Sequence, residues 1–240
     1  MKKAFCIGIL AVLCGNLWAA EFSLSAGAGG LVGGLFTRYK ATSGLDKIKQ
    51  EVNQFNYGGL VFFDATYAEL AVTIQGGANS YEETMIQLGN PTPMAGKGWE
   101  TMLGFSLLGK YPFNPAEKFS IFPLIGIEYQ LSLAQKRRKD GGITYKRTDG
   151  VYEYDKYNLP YKNSVWNSFW IHVGVGTDFK FIKSFFLRSE LLYSFRLMTD
   201  YESDGLEKMK KVLGDPSPSL GGLTSGPSLR LSAGWRFWGL

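Results

Sequence analysis

Hydrophobic and polar residues alternate with a period of two along residues 169–198. Outside a break at residues 182–184, one set of alternate positions is apolar except for Thr177 and Ser189. The intervening positions hold the charged residues Asp178, Lys180, Arg188, Glu190 and Arg196. A period of two is that of a β-strand, and the break at residues 182–184 predicts the turn of a hairpin. The predicted sheet therefore has one apolar and one charged face, and its apolar face meets either a soluble core or lipid.

The same alternation predicts eight strands, at residues 22–39, 56–64, 67–77, 99–111, 119–135, 169–181, 185–198 and 228–238. The pattern leaves the facing of the first two open, because the first is rich in Gly and Ala and residues 60–63 are all apolar. The connections at 64–67, 112–118 and 182–184 are short. Those at 40–55, 78–98, 136–166 and 199–227 are long, with helical patterns at 45–52, 81–88 and 205–214. Short turns at one end and long loops at the other are typical of outer-membrane barrels.

The N-terminal segment indicates secretion. Lys2 and Lys3 precede a short apolar stretch at 5–13 and small residues at 19–20, which predicts a signal peptide at 1–20 and one barrel domain at 21–240. A lipoprotein alternative rests on Cys14, although Leu13 is larger than the residue expected before a lipidated cysteine. Both cysteines of the chain lie in this segment, so the mature domain has no disulfide.

Composition excludes other classes. Removing Lys2 and Lys3 from the 26 basic residues leaves 24 against 21 acidic ones, a balance of +3, which is no nucleic-acid footprint. Outside the apolar segment of the predicted signal peptide, no stretch approaches 18 consecutive apolar residues, so no transmembrane helix is predicted. The length of the mature domain suits one all-β unit.

Aromatic residues indicate that the apolar face meets lipid. Transmembrane barrels carry aromatic girdles at both interfaces. We place one girdle near the short turns, with Phe22, Tyr67, Tyr111, Phe119, Phe179, Phe181, Phe185, Trp235 and Phe237. The other, near the long loops, comprises Phe36, Tyr57, Trp99 and Phe169.

The opposite face is expected to fill the lumen. It carries Glu69, Glu100, Lys110, Glu128, His172, Asp178, Lys180, Arg188, Glu190, Arg196, Arg230 and Arg236. A hairpin turning about Lys183 sets Asp178 opposite Arg188 and Gly176 opposite Glu190, with Gly174 and Gly176 giving room to long side chains. Because unpaired buried charge is costly, the sequence predicts an ion-pair network. Its candidates are Glu128, Asp178, Arg188, Glu190, Arg196 and Arg230, and its expected role is structural.

These features together resemble the small eight-stranded outer-membrane β-barrels of the OmpA-barrel, OmpX and OmpW class. The resemblance covers the whole mature chain through architecture, not through a specific motif. It implies a closed antiparallel barrel and recognition by the outer-membrane assembly machinery through an aromatic C-terminal strand. Trp235, Phe237 and Trp238 supply the aromatics, but the chain ends in Gly239-Leu240, where the class typically ends in Phe.

Candidate chemistry is sparse. His172 is the single histidine, and Gly174 stands where the lipid A deacylase barrels carry a serine, so we expect no enzyme, cofactor or metal. Lys136, Arg137, Arg138 and Lys139 open the third long loop. Their candidate role is contact with anionic lipid head groups, against that of an ordinary solvated loop.

Three functions remain open from the sequence. The first is a structural or surface-interaction barrel whose loops meet host or surface ligands. The second is a narrow barrel that binds or passes small hydrophobic molecules, for which Leu192, Met198 and Trp170 would line the outer lumen. The third is a soluble secreted barrel of the lipocalin type. We expect a monomer in the bacterial outer membrane, with lipid as its main partner.

Overall fold

Eight antiparallel strands close on themselves in the computed structural model of the chain. The structure describes residues 22–43, 46–87, 90–113, 117–139, 144–148, 151–154, 167–199 and 219–239. Within these residues the strands are β1 (Leu24–Ser43), β2 (Asp46–Ala65), β3 (Ala68–Gln87), β4 (Asn90–Lys110), β5 (Phe119–Lys139), β6 (Thr144–Thr148), β7 (Val151–Tyr154), β8 (Ser168–Lys180), β9 (Phe185–Thr199) and β10 (Ser219–Trp238). The predicted signal peptide and the helix predicted at 205–214 lie outside the described residues.

The barrel is closed by the pairing of its first and last strands. Strand β1 pairs with both β2 and β10, and the order then runs through β9, β8 and β5 to β4, β3 and β2. Strands β6 and β7 form a short hairpin beside the end of β5 and are not part of the closed wall. The prediction of a closed eight-stranded barrel is thus confirmed.

The hairpin formed by β8 and β9 has the predicted register. Asp178 pairs with Arg188, and Gly176 pairs with Glu190. Because the turn at residues 181–184 fixes the register, each inward position of one strand faces an inward position of the other.

Several strands are much longer than predicted. β1 ends at Ser43 and β2 begins at Asp46, and these two residues pair; β3 and β4 likewise pair as far as Gln87 and Asn90. The predicted loops at 40–55 and 78–98, and the helices predicted at 45–52 and 81–88, are therefore wrong. A 20-residue strand is about 65 Å long, whereas about 10 residues span a membrane. The extra length continues the hydrogen-bonded ladder beyond the apolar band, where no apolar alternation is needed.

The two ends of the barrel differ. The turn end is the one where β2 connects to β3, β4 to β5 and β8 to β9, and we call the opposite one the extended end. β5 continues to Lys139 in pairing with β4, so Lys136, Arg137, Arg138 and Lys139 belong to a strand and not to the loop in which they were predicted.

The exterior of the wall is apolar. Val61, Ile74, Ile125 and Leu231 are each 56–64% exposed, as are many other outward aliphatic side chains. Aromatic rings contact each other around the turn end, with Phe179–Phe181, Phe181–Phe185 and Phe185–Trp235 centroids 4.8, 6.1 and 6.4 Å apart. The lipocalin-type alternative does not fit this wall, because it requires the aliphatic face to be buried inside.

Candidate functional site in the barrel lumen

Arg188 organises the lumen at the turn end. It lies on β9, is almost fully buried, and donates hydrogen bonds to carboxylates on three other strands. Its Nη1 lies 2.5 Å from Glu69 Oε2, its Nη2 lies 2.6 Å from Asp64 Oδ2, and its Nε lies 2.7 Å from Asp178 Oδ1. A second bond from Nη2 to Asp178 Oδ2, at 2.9 Å, makes the contact with Asp178 bidentate. One guanidinium thereby ties four strands of the wall together.

Lys110 adds a second cation to this cluster. Its Nζ lies 2.5 Å from Asp64 Oδ2, the same oxygen that Arg188 contacts. We call Asp64, Glu69, Lys110, Asp178 and Arg188 the turn-end cluster. Its three carboxylates and two cations are packed away from water, so each charge depends on the others for compensation.

Aromatic rings close the lumen around the Arg188 guanidinium. Its Cζ lies 5.1, 5.3 and 5.0 Å from the ring centroids of Phe62, Phe122 and Phe186. These are cation–π distances, and the rings exclude water from the ion pairs. Phe122 also packs in an inner apolar cluster with Leu108, Leu124 and Leu192. A charged and aromatic layer thus fills the cross-section near the turn end.

Gly176 makes this layer possible. The ring of Phe122, which pairs directly with it across β5 and β8, occupies the space that a Cβ at Gly176 would need. A Cβ at Gly174 would likewise overlap Leu192. The sequence predicted that these glycines give room to charged side chains. The structure shows that the room is taken by apolar ones.

A second cluster lies further toward the extended end. Glu128 Oε2 lies 3.1 Å from Arg230 Nη2 and 3.3 Å from His172 Nε2, and Glu128 Oε1 accepts a 2.6 Å hydrogen bond from Gln130 Nε2. His172 Nδ1 lies 2.7 Å from Ser194 Oγ. We call Glu128, Gln130, His172, Ser194 and Arg230 the mid-lumen cluster.

Four of the six predicted network residues belong to these two clusters. Asp178 and Arg188 belong to the turn-end cluster, and Glu128 and Arg230 to the mid-lumen cluster. Glu190 is buried and pairs in register with Gly176 and Arg230. Arg196 is half-buried on β9, nearer the extended end.

Sequence reasoning missed the partners that complete the turn-end cluster. Glu69 and Lys110 were recognised as inward but not as partners of Arg188. Asp64 was missed because the apolar run at 60–63 hid the facing of β2. The run in fact alternates, with Leu60 and Phe62 buried and Val61 and Phe63 exposed.

Serine, histidine and carboxylate stand in line in the mid-lumen cluster, as in a hydrolase triad. Here, however, Nδ1 of His172 faces the hydroxyl and Nε2 faces the carboxylate, which is the reverse of the triad order. Glu128 is also shared with Arg230 and Gln130. All three residues are buried, and the contacts among them join β5, β8 and β9.

Two cavities flank the charged and aromatic layer around Arg188, which we call the closing layer. The outer one, toward the extended end, measures about 430 Å³ with the part open to solvent. Its lining includes the polar residues Asn56, Gln75, Gln130, His172 and Arg230. Trp170 also lines it and donates a hydrogen bond to Ser168. Leu192 packs in the inner apolar cluster, and the Met198 side chain lies outside the described atoms. The cavity at the turn end lies against Asp64, Lys110 and Arg188.

Metal binding finds no support in the described part of the chain, which holds no group of three His, Cys, Asp or Glu side chains placed to share an ion. The same residues include no helix long and apolar enough to cross a membrane.

Comparison with known proteins gives similarity of fold alone. No protein-family model and no curated protein matches the chain. Neisserial surface protein A is 15% identical, with 88% of this chain and 97% of that chain covered and a TM-score of 0.31. OprG from Pseudomonas aeruginosa is 8% identical, with 91% and 96% covered and a TM-score of 0.43. Ail of Yersinia pestis is 12% identical, with 88% and 99% covered and a TM-score of 0.30. Sequence identities and TM-scores this low assign no function.

The geometry itself defines the class. A closed wall of eight antiparallel strands, apolar outside and filled with ion pairs inside, is the architecture of the small eight-stranded outer-membrane barrels.

Proposed function

We propose that this chain is an integral protein of the bacterial outer membrane with a closed lumen, and that it acts through its extended end in a structural or surface-interaction role. The exterior supports the membrane location. Its aliphatic band and the aromatic rings around the turn end match a lipid-facing wall between two interfaces. The long strands β1 to β5 would then project beyond the outer leaflet and present the contact surface.

The observation that carries this proposal is the layer around Arg188. The guanidinium, three carboxylates, Lys110 and three phenylalanine rings occupy the width of an eight-stranded barrel, whose interior is only wide enough for side chains. A solute that crossed the barrel would have to break several charge-assisted hydrogen bonds at once. Passage of solutes is therefore not the function that this lumen favours.

The hydrophobic-ligand alternative finds less support. It requires an apolar outer lumen, whereas the outer cavity carries Glu128, Gln130, His172 and Arg230 next to Trp170. An apolar ligand in this cavity would offer these polar groups no hydrogen bonds, which makes its binding costly.

Two measurements test the proposal. Detergent-extracted protein is run on SDS gels with and without boiling, and intact cells are treated with protease; we expect a heat-dependent mobility shift and cleavage in the extended end. The purified barrel is also inserted in planar lipid bilayers, where we expect no discrete conductance steps. Recovery in the soluble fraction without a mobility shift would contradict the membrane location, and reproducible ohmic steps would contradict the closed lumen.

Assembly through the C-terminal strand is part of the proposal. Trp235 and Phe237 are more than half exposed on the outer face of β10, and the ring of Trp238 meets that of Phe22 edge-on at 5.4 Å. These aromatics are available to the assembly machinery before the barrel closes. Replacing Phe237 with Ala should lower the yield of heat-modifiable protein in cells while leaving refolding in detergent intact.

A further inference from the structure

Basic positions cluster on the outward face of the wall where the apolar band of β4 and β5 ends. On β4 the exposed Trp99 is followed by Lys97, the next outward position toward the extended end, which is also exposed. On β5 the outward aliphatic residues end at Leu133, and the next cations are at positions 136 to 139. The pairing register of the two strands decides which of these positions belong to the same side as Trp99.

The register separates the four basic positions of β5 into two pairs. Lys136 pairs with Trp99, and Arg138 pairs with Lys97. Both positions therefore lie on the lipid side, since directly paired residues share a face of the sheet. Arg137 pairs with Gly98, and Lys139 pairs with the buried Gly96. Because neighbouring positions of a strand lie on opposite faces, positions 137 and 139 are on the lumen side.

The neighbouring hairpin adds a fourth basic position to the outward face. Lys146 of β6 pairs with Lys136, so positions 97, 136, 138 and 146 form one patch across three strands. We call these four positions the rim patch. The acidic positions next to it in register are Glu153, which pairs with Lys146 on β7, and Glu82, two positions beyond Ser80, the β3 partner of Lys97.

Basic residues occupy directly paired positions in this patch. Position 97 pairs with 138, and position 136 pairs with 146, and like charges at paired positions destabilise a sheet. Beside hydrocarbon, such repulsion is less screened than in water. A bound anion at the patch would remove it, and a tryptophan at the edge of the patch marks the level of the lipid head groups.

We propose that the rim patch is a binding site for the phosphate-bearing head groups of anionic lipids in the outer leaflet. This inference rests on the proposed membrane location and deepens it, because it assigns head-group contact to positions 136 and 138 and withholds it from 137 and 139. We take the occupant to be a lipid because the patch directly adjoins the apolar band. An anionic lipid can place its head group at the patch and its acyl chains against the band, which a soluble anion cannot do.

The register supplies a matched control. The double variant Lys136→Gln/Arg138→Gln and the double variant Arg137→Gln/Lys139→Gln remove the same charge from the same strand on opposite faces. Native mass spectrometry of the intact barrel, titrated with phosphatidylglycerol and with phosphatidylcholine, gives the affinity for the first lipid bound. With a loss of about fivefold for each cation near the surface, the outward variant should bind phosphatidylglycerol about 25-fold more weakly. The inward variant and the phosphatidylcholine affinity should stay unchanged.

The possible failures are distinguishable. If the protein shows the heat-dependent mobility shift but the two double variants bind phosphatidylglycerol equally well, this inference is overturned and the membrane location stands. Unvaried protein that shows no mobility shift and does not enter bilayers would overturn the location itself. Competition by soluble glycerol phosphate at the affinity of the lipid would overturn the choice of a membrane-anchored ligand.

Discussion

Replacing Arg188 with Met should destabilise the barrel more than any other single change in its lumen. Methionine keeps most of the side-chain length but removes all four hydrogen bonds to Asp64, Glu69 and Asp178. Three buried carboxylates then share Lys110 as their remaining cation in the cluster. Breaking a buried ion pair by removing one partner costs about 3–5 kcal/mol, so we expect a loss of that size in the free energy of unfolding.

A triple variant tests whether uncompensated charge is the cause. Adding Glu69→Gln and Asp178→Asn to Arg188→Met leaves one carboxylate, that of Asp64, paired with Lys110 at 2.5 Å. Because replacing a whole ion-pair group with neutral residues is often close to neutral, the triple variant should recover at least half of the lost stability.

The assay is urea unfolding of the refolded barrel in lipid vesicles, followed by the gel mobility shift and by tryptophan fluorescence. Two results would refute the reasoning. One is an Arg188→Met barrel within about 1 kcal/mol of the unvaried protein, which is the range of an exposed ion pair. The other is a triple variant no more stable than the single one, which would mean that lost packing against the aromatic rings, not unpaired charge, dominates.

Other positions give contrasting expectations, each read out by the same unfolding assay. Gly176→Ala should lower the free energy of unfolding by about 1–3 kcal/mol, because its Cβ would overlap an aromatic ring. Gly30→Ala should leave it nearly unchanged, because the nearest neighbour of its Cβ would be 3.7 Å away. Equal effects of the two changes would contradict the packing of the closing layer. Ile125→Arg, at an outward position that is 64% exposed, should cost about 2–4 kcal/mol in vesicles, and no cost there would argue against lipid contact. Glu128→Gln should lower the free energy of unfolding by about 1.5–3 kcal/mol, because it weakens charged hydrogen bonds. Combined with Arg230→Met, the loss should be smaller than the sum of the two single losses. Strict additivity would contradict the coupling of the two residues.

The sequence predicts this fold well where the two faces of a strand differ in polarity. The register of β8 and β9 follows from alternation and a tight turn, and so do the inward positions of Glu128, Arg188 and Arg230. It predicts strand ends poorly. Beyond the apolar band, residues 46–55 and 78–87 carry no clear apolar alternation, although the hydrogen-bonded ladder continues through them.

Asp64 shows why the lumen itself could be predicted only in part. A pattern that assigns polar residues inward and apolar residues outward fails at β2, because Leu60 and Phe62 point inward. Their inward facing has a physical reason. Arg188 is buried with three carboxylates, and rings such as Phe62 and Phe122 shield these ion pairs from water. The interior therefore needs apolar residues near its charges, and these residues erase the alternation from which the facing of the strand was to be read.

The position of the closing layer bears on what the lumen can do. All five residues of the turn-end cluster lie within a few residues of the short turns, on β2, β3, β4, β8 and β9. The cavity beyond them opens toward the extended end and is lined by the mid-lumen cluster. A molecule that entered there would meet a floor of ion pairs and rings. If the lumen is closed as we propose, a variant such as Arg188→Met should lower the stability of the barrel before it raises its permeability.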